Sequence, residues 1–387
     1  MRIAHVITRL ILGGAQENTL LCCEDLMRTY GDQVLLITGP ALGPEGSLLQ
    51  RARAGGVPME IIGSLRRQIN PLRDVLAYRR IRRALLRFRP DVVHTHSAKA
   101  GILGRMAAWR LKVPVVVHTV HGAPFHPYQS RFARGFFRAC ERWAARRCHA
   151  MICVAEAMKK LLVEHAVVPP EKLVVVYSGM EVEPFLRADV HRPAVRRQLG
   201  YDDQHLVVGK IARLFHLKGH QYLIEAAGRV VRRFPHVRFL LVGDGILRDR
   251  ICRQIAQAGL GQFFQLTGLV SPERIPELLS AMDMLVHVSL REGLARSLPQ
   301  ALMAGKPVVS YDVDGAAEVV IPGQTGFLVP PKSVNELAEA ICALAADPTL
   351  RCRLGQQGRS RIAQMFDHHR MTAQIRAIYE SLLKNYQ

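Results

Sequence analysis

Ser289-Leu-Arg-Glu-Gly-Leu-Ala-Arg-Ser-Leu-Pro-Gln-Ala-Leu-Met-Ala-Gly-Lys-Pro-Val-Val309 sets an acid, Glu292, on a loop ahead of a short apolar helix and a buried strand. Leu298-Pro299 reads as the helix start, Gly305 as its stop and Val308-Val309 as the next strand. Glu292 stands on the incoming loop and Gln300 in the helix, so both can face a ligand at the helix N-terminus. Free backbone N–H groups and the positive end of the helix dipole favour hydroxyl oxygens and phosphates there.

The same alternation runs through the whole chain, which argues for an α/β fold with parallel sheets covered on both faces. Strands are expected over residues 3–7, 34–38, 59–62, 92–96, 115–119, 151–154 and 174–176, then over 207–211, 239–242, 263–266, 284–288, 308–310 and 327–329. Helices are expected over 71–88, 98–109, 350–365 and 370–383. A polar, Pro-containing stretch between Met180 and Gly200 is the best linker candidate. The expected division is an N-terminal domain over 1–187, a C-terminal domain over 188–366 and a final helix over 367–387. Two doubly wound, Rossmann-like sheets facing each other would leave a cleft at the carboxyl ends of their strands, where open α/β folds bind ligands.

Length agrees, since 387 residues are too many for a single core. The N-terminus enters a strand and not a secretory signal, and no apolar run approaches the ~18 residues that span a bilayer. Eight cysteines without Cys-x-x-Cys spacing read as buried thiols in a reducing compartment, so a cytoplasmic location is expected. The net charge of +21 is uneven: residues 51–150 hold 21 Lys/Arg against 4 Asp/Glu, residues 201–387 hold 22 against 17. Between 131 and 147, arginines at helical spacing interleave with Phe132, Phe136, Phe137 and Trp143. Such a helix suits an anionic membrane surface, which would make the protein peripheral on the inner face of the cell membrane. Nucleic acid is not expected as a partner, because no zinc spacing, RNA-recognition signature or helix-turn-helix accompanies the charge.

The 289–309 segment resembles the donor-sugar motif of the family 4 retaining glycosyltransferases, which have the GT-B fold. Their usual pattern is Glu-Gly-aromatic-Gly, a Pro, then a second Glu before Ala-Met-Ala-Xaa-Gly-Xaa-Pro-Val. The resemblance implies that Glu292 binds a hydroxyl of the donor sugar and that the backbone of Gly293, Leu294 and Ala295 binds neighbouring ones. Gln300 replaces the second acid, which usually reaches the ribose. An amide still accepts and donates, but a carboxylate's charge-assisted bonds are lost. The family also sends its last helix back to the N-terminal domain.

Other segments fall into the same frame. Gly13-Gly14 follow the first strand, allow close backbone approach and resemble the family's Gly-Gly loop beside the donor diphosphate. Arg213 offers a planar fork and Lys218 a point charge, a pair suited to two phosphates. Preset around a departing diphosphate, they would stabilise it without a metal. The resemblance assigns them that grip. His118 and His121 cannot be separated by spacing; the family's Thr-x-His-Gly pattern selects His121, near the anomeric centre. His94 and His96 share a strand face but lack a third metal ligand, so His96 is expected to line the cleft, with Lys99 in reach of the acceptor. Asp312-Val-Asp314 reads as a loop near the nucleotide with no metal, and Gly243-Asp-Gly245 as a turn.

The resemblance therefore implies a metal-independent glycosyltransferase with no cofactor. It would move a hexose or N-acetylhexosamine from a nucleotide diphosphate sugar, UDP-linked by preference, to a glycan or lipid-linked acceptor in cell-envelope or exopolysaccharide synthesis. The alternatives are a sugar-nucleotide epimerase of the same fold, which needs no acceptor, and a non-catalytic basic lipid-binding scaffold, favoured by charge alone.

Overall fold

The computed structural model describes residues 1–43 and 45–386. The chain divides into two compact units, Met1–Met180 with Asp367–Gln387, and Glu181–Phe366. In the first unit, β1 (Arg2–Ile7), β2 (Gln33–Thr38), β3 (Met59–Ile61), β4 (Val92–His96), β5 (Val115–Val120), β6 (Ala150–Cys153) and β7 (Leu173–Val175) form one sheet in the order β3-β2-β1-β4-β5-β6-β7. Every pairing in it is parallel. Runs of Val and Ile buried on both faces explain why these segments are strands between helical layers.

In the second unit, β8 (Leu206–Ile211), β9 (Val237–Val242), β10 (Phe264–Leu266), β11 (Met284–His287), β12 (Val308–Tyr311) and β13 (Gly326–Val329) repeat the winding as β10-β9-β8-β11-β12-β13. Strand order reverses between β1 and β4 in one sheet and between β8 and β11 in the other. These are the switch points at which doubly wound sheets open a crevice.

Local chemistry fixes the helices. Pro71–Phe88 begins where the Asn70 side chain accepts from the Arg73 N–H and Pro71 needs no donor partner; it ends at Arg89, which is left-handed at φ 51°. Ala98–Arg110 lies close on the sheet because Gly101 has no side chain: a Cβ there would stand 2.6 Å from the His118 ring. The last helix, His368–Lys384, begins at the Asp367 cap and buries Met371, Ile375 and Tyr379 in the same core as β1, β2 and the helix Gly14–Arg28. Among the described residues, no helix is long and apolar enough to cross a membrane.

Candidate active site

In the second unit the polar groups gather at the β8/β11 switch point. The loop after β8 ends at Gly219, which takes φ 70° as the cap of helix His220–Arg233. A Cβ at Gly219 would lie 1.8 Å from the Val288 carbonyl oxygen, so glycine alone lets this loop close on the end of β11. The Leu290 N–H donates to the Leu217 carbonyl at 2.8 Å and locks the closure. Lys218 is thereby carried onto Glu292, 74 residues later, and the two form an ion pair.

Glu292 is held from several sides. Its own N–H donates to the Asp314 carboxylate, the Gly315 N–H donates to the Gly293 carbonyl at 3.3 Å, and His287 Nε2 stands 3.7 Å from Glu292 Oε1. Burial alone would raise the Glu292 carboxyl, but Lys218 and then His287 outweigh it and hold the group at about 2. Glu292 is thus an ionised, acceptor-only group whose side chain is 21% exposed, suited to receiving hydroxyl hydrogens. Asp314 moves the other way, raised first by burial and also by Glu292.

Lys210, on β8, lies behind the pair. It is fully buried and its Nζ has no hydrogen-bond partner. Burial lowers it to about 7, with Lys218 adding to the fall and Glu292 opposing it. His220 and His287, both buried, are pushed down to about 2 and about 3 by the same desolvation and remain neutral. Arg213 lies on the same loop as Lys218, but its side chain is exposed and its guanidinium sits 4.9 Å from the Phe215 ring centroid. Leu294 and Ala295 are buried, and Gln300 is partly buried in helix Ser297–Met303.

In the first unit the switch point carries histidines. His5 on β1 is in register with His94 on β4. His5 Nδ1 lies 3.0 Å from His96 Nε2, and His96 Nδ1 lies 3.1 Å from His121 Nε2, just past β5. His94 is hydrogen-bonded to the Tyr379 hydroxyl and, at 2.7 Å, to Thr119. His5 supplies the third imidazole that the sequence reading lacked, since its nitrogen lies with those of His94 and His96 within 4.8 Å. The nitrogens of that trio are already hydrogen-bonded, His5 Nε2 excepted.

Two expectations for this unit change. His96 is 1% exposed and stands behind His121, so it reaches a ligand only through that residue. Lys99 pairs with Asp74 at 2.6 Å and also donates to the Gln68 carbonyl, which anchors the loop before Pro71–Phe88. His118 turns to Thr95 at 2.9 Å and faces Glu141 at 3.8 Å, apart from the His121 chain. Gly13 caps the helix Gly14–Arg28, its carbonyl accepting from Gln16 and Glu17.

Sequence reading missed Lys210, His5, His220 and His287. A lysine inside an apolar strand was the one available signal. The three histidines carry no motif of their own.

Residues 12–184 match the family described as Glycosyltransferase Family 4, and residues 191–361 match Glycosyl transferases group 1. The chain is 28% identical over 388 residues to the Escherichia coli UDP-Gal:alpha-D-GlcNAc-diphosphoundecaprenol alpha-1,3-galactosyltransferase, covering 100% of this chain and 98% of that one. It is 24% identical over 303 residues to the capsular polysaccharide biosynthesis glycosyltransferase CapM of Staphylococcus aureus, covering 76% and 78% of the two chains. In fold it resembles Anabaena HepE, solved with UDP and glucose, at TM-score 0.82 and 24% identity over 98% of this chain and 100% of that one. Sucrose-phosphate synthase from Thermosynechococcus elongatus gives TM-score 0.82 at 19% identity, covering 99% of each. With both halves matched and two parallel doubly wound sheets of this order, the chain belongs to the family 4-like glycosyltransferases of GT-B fold.

Proposed function

We propose that this glycosyltransferase moves a hexose or N-acetylhexosamine from a UDP-linked donor to a lipid-linked or glycan acceptor in cell-envelope or exopolysaccharide synthesis, with retention at the anomeric carbon. The Lys218–Glu292 pair at the β8/β11 switch point carries the reading. It offers a cation for the departing diphosphate and an ionised carboxylate for the sugar hydroxyls. Arg213, on the same loop, supplies a second cation, and the backbone of Gly293 to Ala295 and the Gln300 amide complete the donor contacts. Gly13 and Gly14 let backbone approach the diphosphate. The acceptor hydroxyl attacks from the leaving-group side: its oxygen bonds to the anomeric carbon as the carbon–phosphate oxygen bond breaks, and the released phosphate takes its proton. No resident metal or cofactor enters this scheme.

Transfer from a panel of nucleotide sugars to a lipid-linked acceptor, with and without a chelator, tests this. An α-configured product from an α-configured donor, formed equally with chelator present, is the expected result; an inverted product would contradict it.

A cytoplasmic, peripheral placement is part of the proposal, supported by the helices Pro71–Phe88 and Arg131–Ala145. Phe132 is 86% exposed, and Phe136, Trp143, Leu72, Val75 and Leu76 are also exposed among arginines. Vesicles containing phosphatidylglycerol should retain the protein and release the Phe132→Ser/Phe136→Ser double variant.

A further inference from the structure

The histidines of the first unit form a chain with a direction. His5, His94 and His96 are essentially inaccessible to solvent, and burial, first among the causes, keeps each far below the range in which it would charge. Each is therefore a neutral imidazole with one N–H and one bare nitrogen. Both nitrogens of His96 are engaged, Nε2 by His5 and Nδ1 by His121, so the proton on His96 settles the tautomer of its neighbours.

Two orders are available. In one, His5 Nδ1–H donates to His96 Nε2 and His96 Nδ1–H donates to His121 Nε2. In the other, each proton sits on the opposite atom, which leaves an N–H on His5 Nε2. That atom is buried and has no hydrogen-bond partner. An orphaned buried N–H is rarer and costlier than a bare acceptor, so the first order wins. His94 does not compete, because its two nitrogens are taken by the Tyr379 and Thr119 hydroxyls while its ring lies 4.2 Å from that of His96.

We infer that His5 and His96 are positioning residues which fix His121 as the tautomer protonated at Nδ1, so that the site receives a hydrogen-bond donor there and neither a general base nor a cation. The role in transfer rests on the proposed glycosyl transfer and on the family resemblance that puts His121 near the anomeric centre; the tautomer does not. Such support behind a contacting residue sets its orientation as well as its proton.

Ring-nitrogen NMR on ligand-free, 15N-histidine-labelled protein separates the two orders, with His121 assigned by its loss in His121→Ala. The expected pattern is a protonated Nδ1 and an unprotonated Nε2. His5→Leu removes the donor to His96 and should convert or average that pattern, with a loss of about tenfold in kcat and little change in donor KM. His5→Gln, whose amide still donates to His96, should restore both. A protonated Nε2 on wild-type His121 would overturn the inference, as would an unchanged His121 pattern in a folded His5→Leu variant. Stoichiometric zinc that displaces the His5, His94 and His96 signals together would also overturn it, because metal ligation breaks the chain. A converted tautomer with kcat unchanged would instead remove His121 from the transfer reaction and leave the chain intact.

Discussion

The two units wind their sheets in the same order, yet the chemistry at their switch points is opposite. In the first unit His5 and His96 are linked through a neutral hydrogen bond, His94 is bonded to Thr119 and Tyr379, and all three lie deep in the core. In the second, Glu292 stands ionised against Lys218, the two side chains partly exposed at 21% and 18%. Desolvation is the common cause. Groups without a counter-charge lose their charge on burial, whereas a carboxylate against a lysine keeps it. A shared fold therefore says where a site lies and leaves open what it can bind; one switch point offers oriented donors and the other offers charge.

The sharpest test lies in the first unit, where charge is buried only as a pair. Arg105 is fully buried and donates to Glu141 at 2.7 Å and to the Gly101 carbonyl, joining helices Ala98–Arg110 and Arg131–Ala145. Arg105→Ala should cost about 3–5 kcal/mol in denaturant unfolding, because it strands Glu141. A loss under about 1 kcal/mol would mean that buried charge in this unit needs no partner.

In the second unit, Lys218→Ala should reduce transfer by about 10²- to 10³-fold with the fold intact, since a contact to developing charge acts on the chemical step. Unchanged turnover would remove the ion pair from catalysis and blur the contrast between the units.

Lys210 breaks the pattern, as a buried amine with no hydrogen-bond partner. Its folded value of about 7 lies below its ordinary 10.5, so the unfolded chain binds more protons between those values and stability rises with pH from about 7 towards 10.5. Lys210→Met should raise Tm at pH 6 by roughly 5 °C, and by progressively less towards pH 10. A gain independent of pH would show that packing, and not charge, is at issue.

The smallest effect concerns Glu292. Its carboxyl is depressed from 4.5 to about 2, so its contribution to stability is present above pH 4.5 and declines as pH falls towards 2. Between pH 7 and pH 5, Glu292→Gln should shift Tm by a nearly constant amount. From pH 5 down to pH 3 the difference should shrink, and one that stays constant there as well would place the carboxyl in the ordinary range.

Sequence alone determined the two series of strands found among the described residues, because β-branched runs between turn residues state their own secondary structure. It also marked Glu292, Lys218 and His121, whose neighbours form local patterns. Only the tertiary structure decided what those residues meet. Lys218 finds Glu292 across 74 residues and His5 finds His96 across 91, and no local spacing encodes either pairing. The same holds for His96, which reads as a cleft-lining residue until β1 and β5 close over it. Burial fixes the protonation of a side chain, and burial is a property of the packed sheet that no single segment carries.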